Sequence, residues 1–599
     1  MRLKSAQAYF LAFTAVFAVL AGFVFWGTWS LSACPVMPDA PMYFHSSGYV
    51  ADFLRNWIGT GKFIPWDITA FIGSPYFWQE LQYVVPVYLA ALGVAYYLRG
   101  RGLSLVSCYG AGLLLGFCGY WLTLFSAGHA GWFRWMASGV FAFGLADRAV
   151  RKNKSKNWVL LGACVAWASF YQSDLWFLFT SFTGIYFVWC CFREKRFPGW
   201  KGPLVAAAVF FAIGTPSFWN AIVNDLAGRD RQIEEAKGSA LAGGEQKDDG
   251  EARWIFVTNW SLPPAETLEF FIPRVNGDTS CPMTLAIGGR QGTGVRPYTG
   301  ALGRPYGAKQ GNYRQHSLYV GFITCLLAIA GIVFGRKNRE VVFFALAALV
   351  FWLLSMGRYF EPLYRIVFML PFGDYLRAPV KWHHLTELCL CVLAGFGIES
   401  LCARLAAVKG FSVGRAAAIL GAVAVLGACD LARIDRLYCA AIDLSVVRAK
   451  NPAADEILKR GDGKVLDLME GGSGLVSWSF ASKRIEMSGD PNAPDIRFIW
   501  AGASQLADNR LAAWLKAKNA APIGAYALTQ RAIRQTAARN ANAMLFEIPG
   551  IPPSPPDESK PPVSFLTWLG GLSLAATLAA IAYGAFRSTP AVARRDGIW

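Results

Sequence analysis

Side chains that could transfer protons or bind a phosphate are few in this sequence, and they lie close to the ends of apolar stretches. They are five histidines and four carboxylates of one early polar segment: His45, His129, His316, His383 and His384, with Asp39, Asp52, Asp67 and Glu80. Histidine changes its charge near neutral pH and carboxylates can act as general bases, so this set suits acid–base chemistry and substrate binding. No two of the histidines have the i, i+4 spacing of a helical metal-binding pair, so we predict no metal ligands among them.

The composition predicts an integral membrane protein, because 54% of the 599 residues are hydrophobic and only 16% are charged. The formal net charge of +18 does not indicate nucleic-acid binding, since Lys and Arg recur in short clusters between apolar stretches. Twelve of these stretches are long enough to predict an α-helical polytopic membrane protein with about 12 transmembrane helices. They are 8–30, 82–98, 104–126, 133–148, 157–172, 175–192, 203–222, 317–335, 340–356, 384–402, 414–430 and 563–586.

The basic clusters set the predicted orientation. From a cytoplasmic N-terminus, alternation of the spans places all the basic clusters and the C-terminus in the cytoplasm, and all five histidines outside. The first span has no small-residue cleavage site and ends in aromatic residues, which favours a retained anchor. Four long segments then face outward: 31–81, 223–316, 357–383 and 431–562.

The last outward segment, 431–562, is predicted to be a small α/β module outside the membrane. Its proline-rich tether leads to the final span and a cytoplasmic tail, 563–599. The predicted strands and helices of the module are Lys464–Met469, Met544–Ile548, Ala453–Lys459 and Asp508–Lys518. Three cysteines face outward, and their odd number fixes no disulfide pairing: Cys34, Cys281 and Cys439.

Two outward regions carry cations that suit phosphate binding. The segment 357–383 holds four basic residues against two acidic ones, and Arg377 and Lys381 are its best candidates because they lie just before a span. The alternative is that these cations reach lipid head groups at the membrane surface. The second region is a tight turn rich in glycine and alanine around His129, followed by Arg134, where the backbone can approach a ligand closely.

Asp39 lies in a proline-containing part of the first outward segment, 31–81. About ten residues later, Tyr49–Ile58 has apolar side chains at helical spacing and is predicted to lie on the membrane surface. By composition alone, Asp39 would be interpreted as a structural loop residue.

A resemblance to a known family changes that interpretation. The residues that carry it are, in chain order, Asp39, Gly61–Trp66, Gly73–Pro75, Tyr83–Pro86, Ala127–His129, Trp260–Glu269, Phe271–Pro273, Tyr319–Gly321, Tyr364–Pro371, Leu376–Pro379 and Leu393–Gly397. In these motifs the chain resembles the YfhO-like bacterial membrane proteins, which belong to the GT-C superfamily of polyprenyl-phosphate-sugar-dependent glycosyltransferases. The resemblance covers roughly residues 8 to 430, and the C-terminal module matches only loosely.

The resemblance implies a GT-C-like transmembrane domain, 1–430, whose first outer loop carries a catalytic acidic residue. By position that residue is Asp39. Some GT-C enzymes have a pair of acidic residues here, whereas this chain has Asp39-Ala40, so a second carboxylate must come from elsewhere, with Asp52 as the candidate. The need for a divalent metal is therefore left open.

The sequence thus predicts a glycosyltransferase of the bacterial inner membrane, with an extracytoplasmic active face and Asp39 as general base. Its expected partners are a polyprenyl-phosphate sugar donor, membrane lipid and an extracytoplasmic glycan, lipid or protein acceptor, with no nucleic acid. The predicted substrate-binding residues are His45, Asp52, His129, Arg134, Glu266, Glu269, Arg377, Lys381 and His383. The alternatives are a transporter or flippase of lipid-linked intermediates and a non-catalytic scaffold for envelope assembly. Glu387 and Glu399 lie near the ends of their span, which favours outer-face chemistry over transport.

Overall fold

The structure accounts for most of the apolar part of the chain. The computed structural model describes residues 2–27, 33–35, 81–127, 130–170, 173–220, 249–278, 296, 298–302, 316–370, 373, 376–439, 441–443, 452–461, 463–467, 487–488, 496–502, 509–527, 542–551 and 565–586. Four predicted site residues lie outside the described residues: Asp39, His45, Asp52 and His129.

Each of the twelve predicted apolar stretches contains helix. The first eight helices are α1 (Arg2–Val24), α2 (Leu81–Gly100), α3 (Leu105–Gly116), α4 (Gly119–Thr123), α5 (Ala130–Lys152), α6 (Ser155–Ala168), α7 (Ser173–Arg193) and α8 (Lys201–Asn220). The next six are α9 (Asp249–Val257), α10 (Phe322–Gly335), α11 (Arg339–Ser355), α12 (Glu361–Met369), α13 (His383–Ala406) and α14 (Val413–Asp435). The last three are α15 (Pro452–Lys459), α16 (Asn509–Ala517) and α17 (Phe565–Phe586).

The chain is a helical membrane protein. In the described part of the chain, five helices are long and apolar enough to cross a membrane, and up to seven if each of two bent helix pairs is one span. The pair α3 and α4 bends by 46°, and α11 turns by 113° into the segment Gly357–Met369, which contains α12. Large apolar side chains are exposed on these helices, as contact with lipid requires: Leu11, Val19, Ile185, Val188, Leu346 and Leu572.

Small residues allow the helices to approach closely. Gly331 of α10 and Gly397 of α13 face each other's helix, and a Cβ added at either would overlap a backbone carbonyl oxygen of the partner helix. Such contacts favour glycine, because membrane helices associate mainly through close packing.

One end of the bundle collects basic residues in an ion-pair network. Asp147 of α5 pairs with Arg101 at 3.2 Å, with Arg151, and with Arg193 of α7 at 2.8 Å. Arg193 also pairs with Glu340, at the start of α11. We call this end of the bundle the basic end. The network joins the ends of four helices, α2, α5, α7 and α11, whose basic clusters are predicted to lie on one side of the membrane.

The opposite end of the same helices is covered by two segments that the sequence analysis placed outside the membrane. The backbone amide of Ala378 donates to the carbonyl of Val257 at 3.0 Å, and that of Val380 donates to the carbonyl of Trp260 at 3.0 Å. The segments around α9 and around residues 376–382 therefore form one layer over the end of the bundle, which we call the covering layer.

The C-terminal part contains a small sheet with helices on both faces. The strands are β1 (Ala33–Pro35), β2 (Ala441–Asp443), β3 (Lys464–Asp467), β4 (Met487–Ser488), β5 (Ile496–Gly502), β6 (Ala521–Ala527) and β7 (Asn542–Glu547). Five of them form a sheet in the order β4-β3-β5-β7-β6, and side chains of α15 and α16 pack into separate apolar clusters. Strands β1 and β2 pair antiparallel, which joins the chain after α1 to the chain after α14.

Candidate functional site

The start of α13 carries the site, and a backbone turn places it there. Ala378 adopts a φ of 63°, in the left-handed region, and the short 3-10 helix Pro379–Trp382 follows it directly. The two backbone hydrogen bonds to Val257 and Trp260 hold this turn against the covering layer. His383 and His384 are thereby held inside the bundle at the first turn of α13, and both are fully buried.

Tyr120 lies at the centre of the site because a helix breaks next to it. Between α3 and α4 the chain bends, and the amide of Gly119 donates to the carbonyl of Tyr319 at 2.9 Å. A Cβ at Gly119 would lie 2.8 Å from that oxygen, so this approach favours glycine. The amide of Tyr120 donates to Glu387 Oε1 at 3.2 Å, one turn into α13.

Three of the five histidines surround the ring of Tyr120. Ring centroids are 4.3 Å apart for His384, 4.5 Å for His316 and 5.6 Å for His383. Together with Glu387 these residues form what we call the tyrosine–histidine cluster. The predicted concentration of histidines at one end of the bundle is thus seen for His316, His383 and His384.

The cluster contains buried polar atoms with no hydrogen bond to any described residue. They are the hydroxyl of Tyr120, Nδ1 of His383, both ring nitrogens of His384, and Glu387 Oε2. Leaving a buried polar group without a partner costs about 1–3 kcal/mol, and native structures keep few of them. This concentration indicates a functional site more strongly than a structural core.

His383 and Glu387 form the acid–base part of the cluster. His383 Nε2 lies 3.5 Å from Glu387 Oε1, and both side chains are fully buried. The ring of Phe270 packs against the His383 ring, with centroids 4.3 Å apart and an angle of 33° between the ring planes. A buried imidazole beside a carboxylate can hold or pass a proton.

The sequence predicts that Lys381 binds a phosphate, but in the structure Lys381 forms an ion pair with a carboxylate. Its ammonium group pairs with Asp174, at the start of α7, and lies 5.0 Å from the ring centre of Trp132. The side chains of both Lys381 and Asp174 are largely buried. The charge of Lys381 is therefore already balanced, which makes it a positioning residue in this structure.

Of the two cations predicted to bind phosphate in this segment, Arg377 is the exposed one. Its side chain is exposed at the covering layer, with its guanidinium 4.3 Å from the ring centre of Phe256 and 4.9 Å from that of Trp260. Aromatic faces hold a guanidinium in one orientation, and a guanidinium is the side chain best matched to phosphate oxygens.

Glu266 and Glu269 are both buried in the 3-10 helix Pro264–Phe270. Glu266 accepts hydrogen bonds from the Tyr298 hydroxyl at 2.5 Å and from the amides of Ala301 and Leu302 at 2.6 and 3.1 Å. These bonds indicate that Glu266 organises the layer. Glu269 precedes Phe270, the residue that packs against His383, and its role in substrate binding stays a prediction.

The site includes residues that sequence reasoning passed over. Tyr120 was not among the predicted site residues, and the signal available was the glycine that precedes it in an otherwise apolar stretch. Asp435, at the end of α14, is also fully buried. Its two carboxylate oxygens have no hydrogen-bond partner among the described residues.

Metal binding is not indicated by the part of the chain that the structure describes, which holds no group of three or more potential ligands. Arg134 lies in α5, but its side chain is outside the part of the chain that the structure describes. Asp39, His45, Asp52 and His129 lie wholly outside that part.

Neither family models nor curated protein sequences match the chain. The resemblance to YfhO-like proteins therefore stays a prediction.

Proposed function

We propose that this protein is a membrane glycosyltransferase with a GT-C-like fold, which uses a polyprenyl-phosphate-linked sugar as donor. The observation that supports it most is the convergence of His316, His383 and His384 on Tyr120, at the end of the bundle opposite the basic end. In the proposed orientation the basic end is cytoplasmic, as the positive-inside rule requires, so the cluster faces the other side. Both chain termini are then cytoplasmic in a bacterial inner membrane, with twelve spans and the C-terminal module outside.

The proposed reaction is a direct displacement at the anomeric carbon. Asp39 accepts the proton of an acceptor hydroxyl, whose oxygen forms a bond to the anomeric carbon while the bond from that carbon to the lipid phosphate breaks. General-base help of this kind contributes roughly 10²–10⁴-fold in rate. The lipid phosphate leaves as an anion, and the configuration at the anomeric carbon is inverted.

Arg377 is proposed to neutralise the leaving phosphate. Its exposed position in the covering layer suits a phosphate at the membrane surface, and fixed cations stabilise charge that develops in the transition state. The pair Lys381–Asp174 supports the turn that carries both Arg377 and the two histidines. The acceptor is proposed to be an extracytoplasmic glycan, lipid or protein, and a divalent metal is left open.

Transport of a lipid-linked intermediate is a second candidate, and the buried carboxylates favour it. Glu387, one turn into α13, and Asp435, the last residue of α14, are both fully buried. Ionisable residues within membrane helices often mark a pathway for protons or substrates.

One experiment distinguishes the two candidates. The purified protein is reconstituted into vesicles with a set of fluorescent polyprenyl-phosphate sugars, and release of sugar and movement of the lipid between leaflets are followed in parallel. Transfer or hydrolysis of the sugar with no faster lipid movement supports the glycosyltransferase. Faster movement that is lost in Glu387→Gln, with no sugar release from any donor, contradicts it and supports the transporter.

A further inference from the structure

The basic end carries a second feature that the proposed function does not use. A cavity of about 660 Å³ opens between the end of α7 and the start of α11. Four cationic residues line it, and the lining includes no carboxylate: Arg193, Lys195, Arg196 and Arg339.

The charge of Arg193 is already balanced. It pairs with Asp147, Glu340 and Glu194, while Asp147 also binds Arg101 and Arg151. This network has three cations and three carboxylates, so Arg193, its member in the cavity lining, belongs to a group with no net charge.

The other three cations are not balanced in this way. Lys195, Arg196 and Arg339 are exposed, and no ion pair to a described residue is formed by any of them. Three positive charges around one cavity repel each other, and an anion between them relieves that repulsion. A phosphate group suits the guanidinium groups in particular, since it can accept paired hydrogen bonds.

The surroundings of the cavity are those of a membrane surface. Phe192, Phe197 and Trp200 are 77%, 49% and 72% exposed beside it, and exposed aromatic residues are typical of the head-group level of a bilayer. Above it, Ile185 and Val188 are exposed on the same face of α7 as Phe192, at helical spacing. These three form an apolar strip that leads from the cavity along the part of α7 that faces lipid.

We propose that this cavity binds the phosphate head group of an anionic phospholipid, with an acyl chain lying along the strip Ile185, Val188 and Phe192. The cations select the anionic head group, and the strip selects a lipid over a soluble phosphate. Basic pockets between membrane helices are known to suit such lipids. The proposal is independent of the reaction at the other end of the bundle.

The test measures binding of fluorescent phosphatidylglycerol to the purified full-length protein in detergent. The cavity variant combines Lys195→Gln, Arg196→Gln and Arg339→Gln. A matched control variant removes three exposed lysines elsewhere at the basic end, with Lys152→Gln, Lys154→Gln and Lys409→Gln. The single variant Arg339→Gln is included as the mildest change.

We expect the cavity variant to bind the lipid at least about tenfold more weakly, because each basic residue near an anionic surface contributes roughly fivefold. The control variant should bind like the parent, and Arg339→Gln should lie between the two. The proposal is overturned if the parent, the single variant Arg339→Gln and the cavity variant all bind the lipid equally. So does a loss of the same size in the control variant.

Two competitors identify the source of the phosphate. Millimolar inorganic phosphate should not displace the labelled lipid, and phosphatidylcholine should displace it poorly because its head group has no net charge. Full displacement by inorganic phosphate contradicts a lipid site.

Discussion

The ring of His384 lies 4.3 Å from the ring of Tyr120, at the point where the first turn of α13 meets the break between α3 and α4. Trp121, Trp132 and Trp135 enclose the same imidazole, with ring centroids between 5.6 and 5.9 Å away. Polar groups are thus concentrated in an aromatic enclosure beside the bend between α3 and α4. Within a membrane, irregular backbone is found where it is buried in protein or lines a cavity.

Lys381→Met tests whether the ion pair with Asp174 holds the turn before α13. The change removes the cation that pairs with a largely buried carboxylate, and we expect a loss of about 3–5 kcal/mol in the free energy of unfolding. The measurement is the unfolding transition of the purified protein, followed by tryptophan fluorescence. Lys459→Met breaks an exposed pair with Glu456 and should cost less than about 1 kcal/mol. Equal losses in the two variants would show that the Lys381 pair is not structural.

Tyr120→Phe tests whether the Tyr120 hydroxyl serves function or stability. Because this hydroxyl is buried and has no hydrogen-bond partner among the described residues, its removal should not lower the free energy of unfolding and should raise it by up to about 1–3 kcal/mol. Activity should fall at least about tenfold if the hydroxyl assists proton transfer, at the low end of what such help contributes.

Tyr364→Phe is the matched control for that variant. The Tyr364 hydroxyl is also buried but donates to the carbonyl of Leu376 at 2.8 Å. Its loss should cost about 1–3 kcal/mol of stability and leave turnover by the folded protein unchanged. The reverse pattern, with Tyr120→Phe unstable but active, would assign Tyr120 a structural role.

Gly397→Ala tests the close contact between α10 and α13. The added Cβ would overlap the carbonyl oxygen of Leu327, so the helices must separate, at a cost of about 1–3 kcal/mol. Gly571→Ala in α17 has open space around the new Cβ and should be neutral or slightly stabilising. Midpoints of thermal unfolding, measured side by side, give the comparison. An unchanged midpoint in Gly397→Ala would mean that the two helices are not packed as the structure has them.

Much of the architecture could be predicted from the sequence, because the length of an apolar stretch and the turn residues at its ends determine where a helix or strand forms. Helices occur at all twelve predicted stretches, and the predicted strands Lys464–Met469 and Met544–Ile548 correspond to β3 and β7. The segment Gly357–Met369, at the start of the predicted outward segment 357–383, contains the short helix α12 and lies at a sharp angle to α11.

Other features depend on contacts between distant parts of the chain, which local patterns do not contain. The sequence identified Lys381 as a cation near a membrane surface, but its partner Asp174 comes from another helix. Tyr120 became part of the site only because a helix break and the turn at Ala378 meet there. The number of helices that cross the membrane also depends on how bends such as those after α3 and α11 are placed.

The central claim is tested most directly by sugar release from polyprenyl-phosphate donors with purified Asp39→Asn beside the parent. Asp67→Asn, a change of the same kind in the same predicted loop, is the control, and unfolding midpoints establish that all three proteins are folded. We predict that Asp39→Asn loses about 10²–10⁴-fold in turnover with an unchanged midpoint, while Asp67→Asn keeps parental activity. Full activity in Asp39→Asn, with an active parent, would contradict the assignment of Asp39 as the general base.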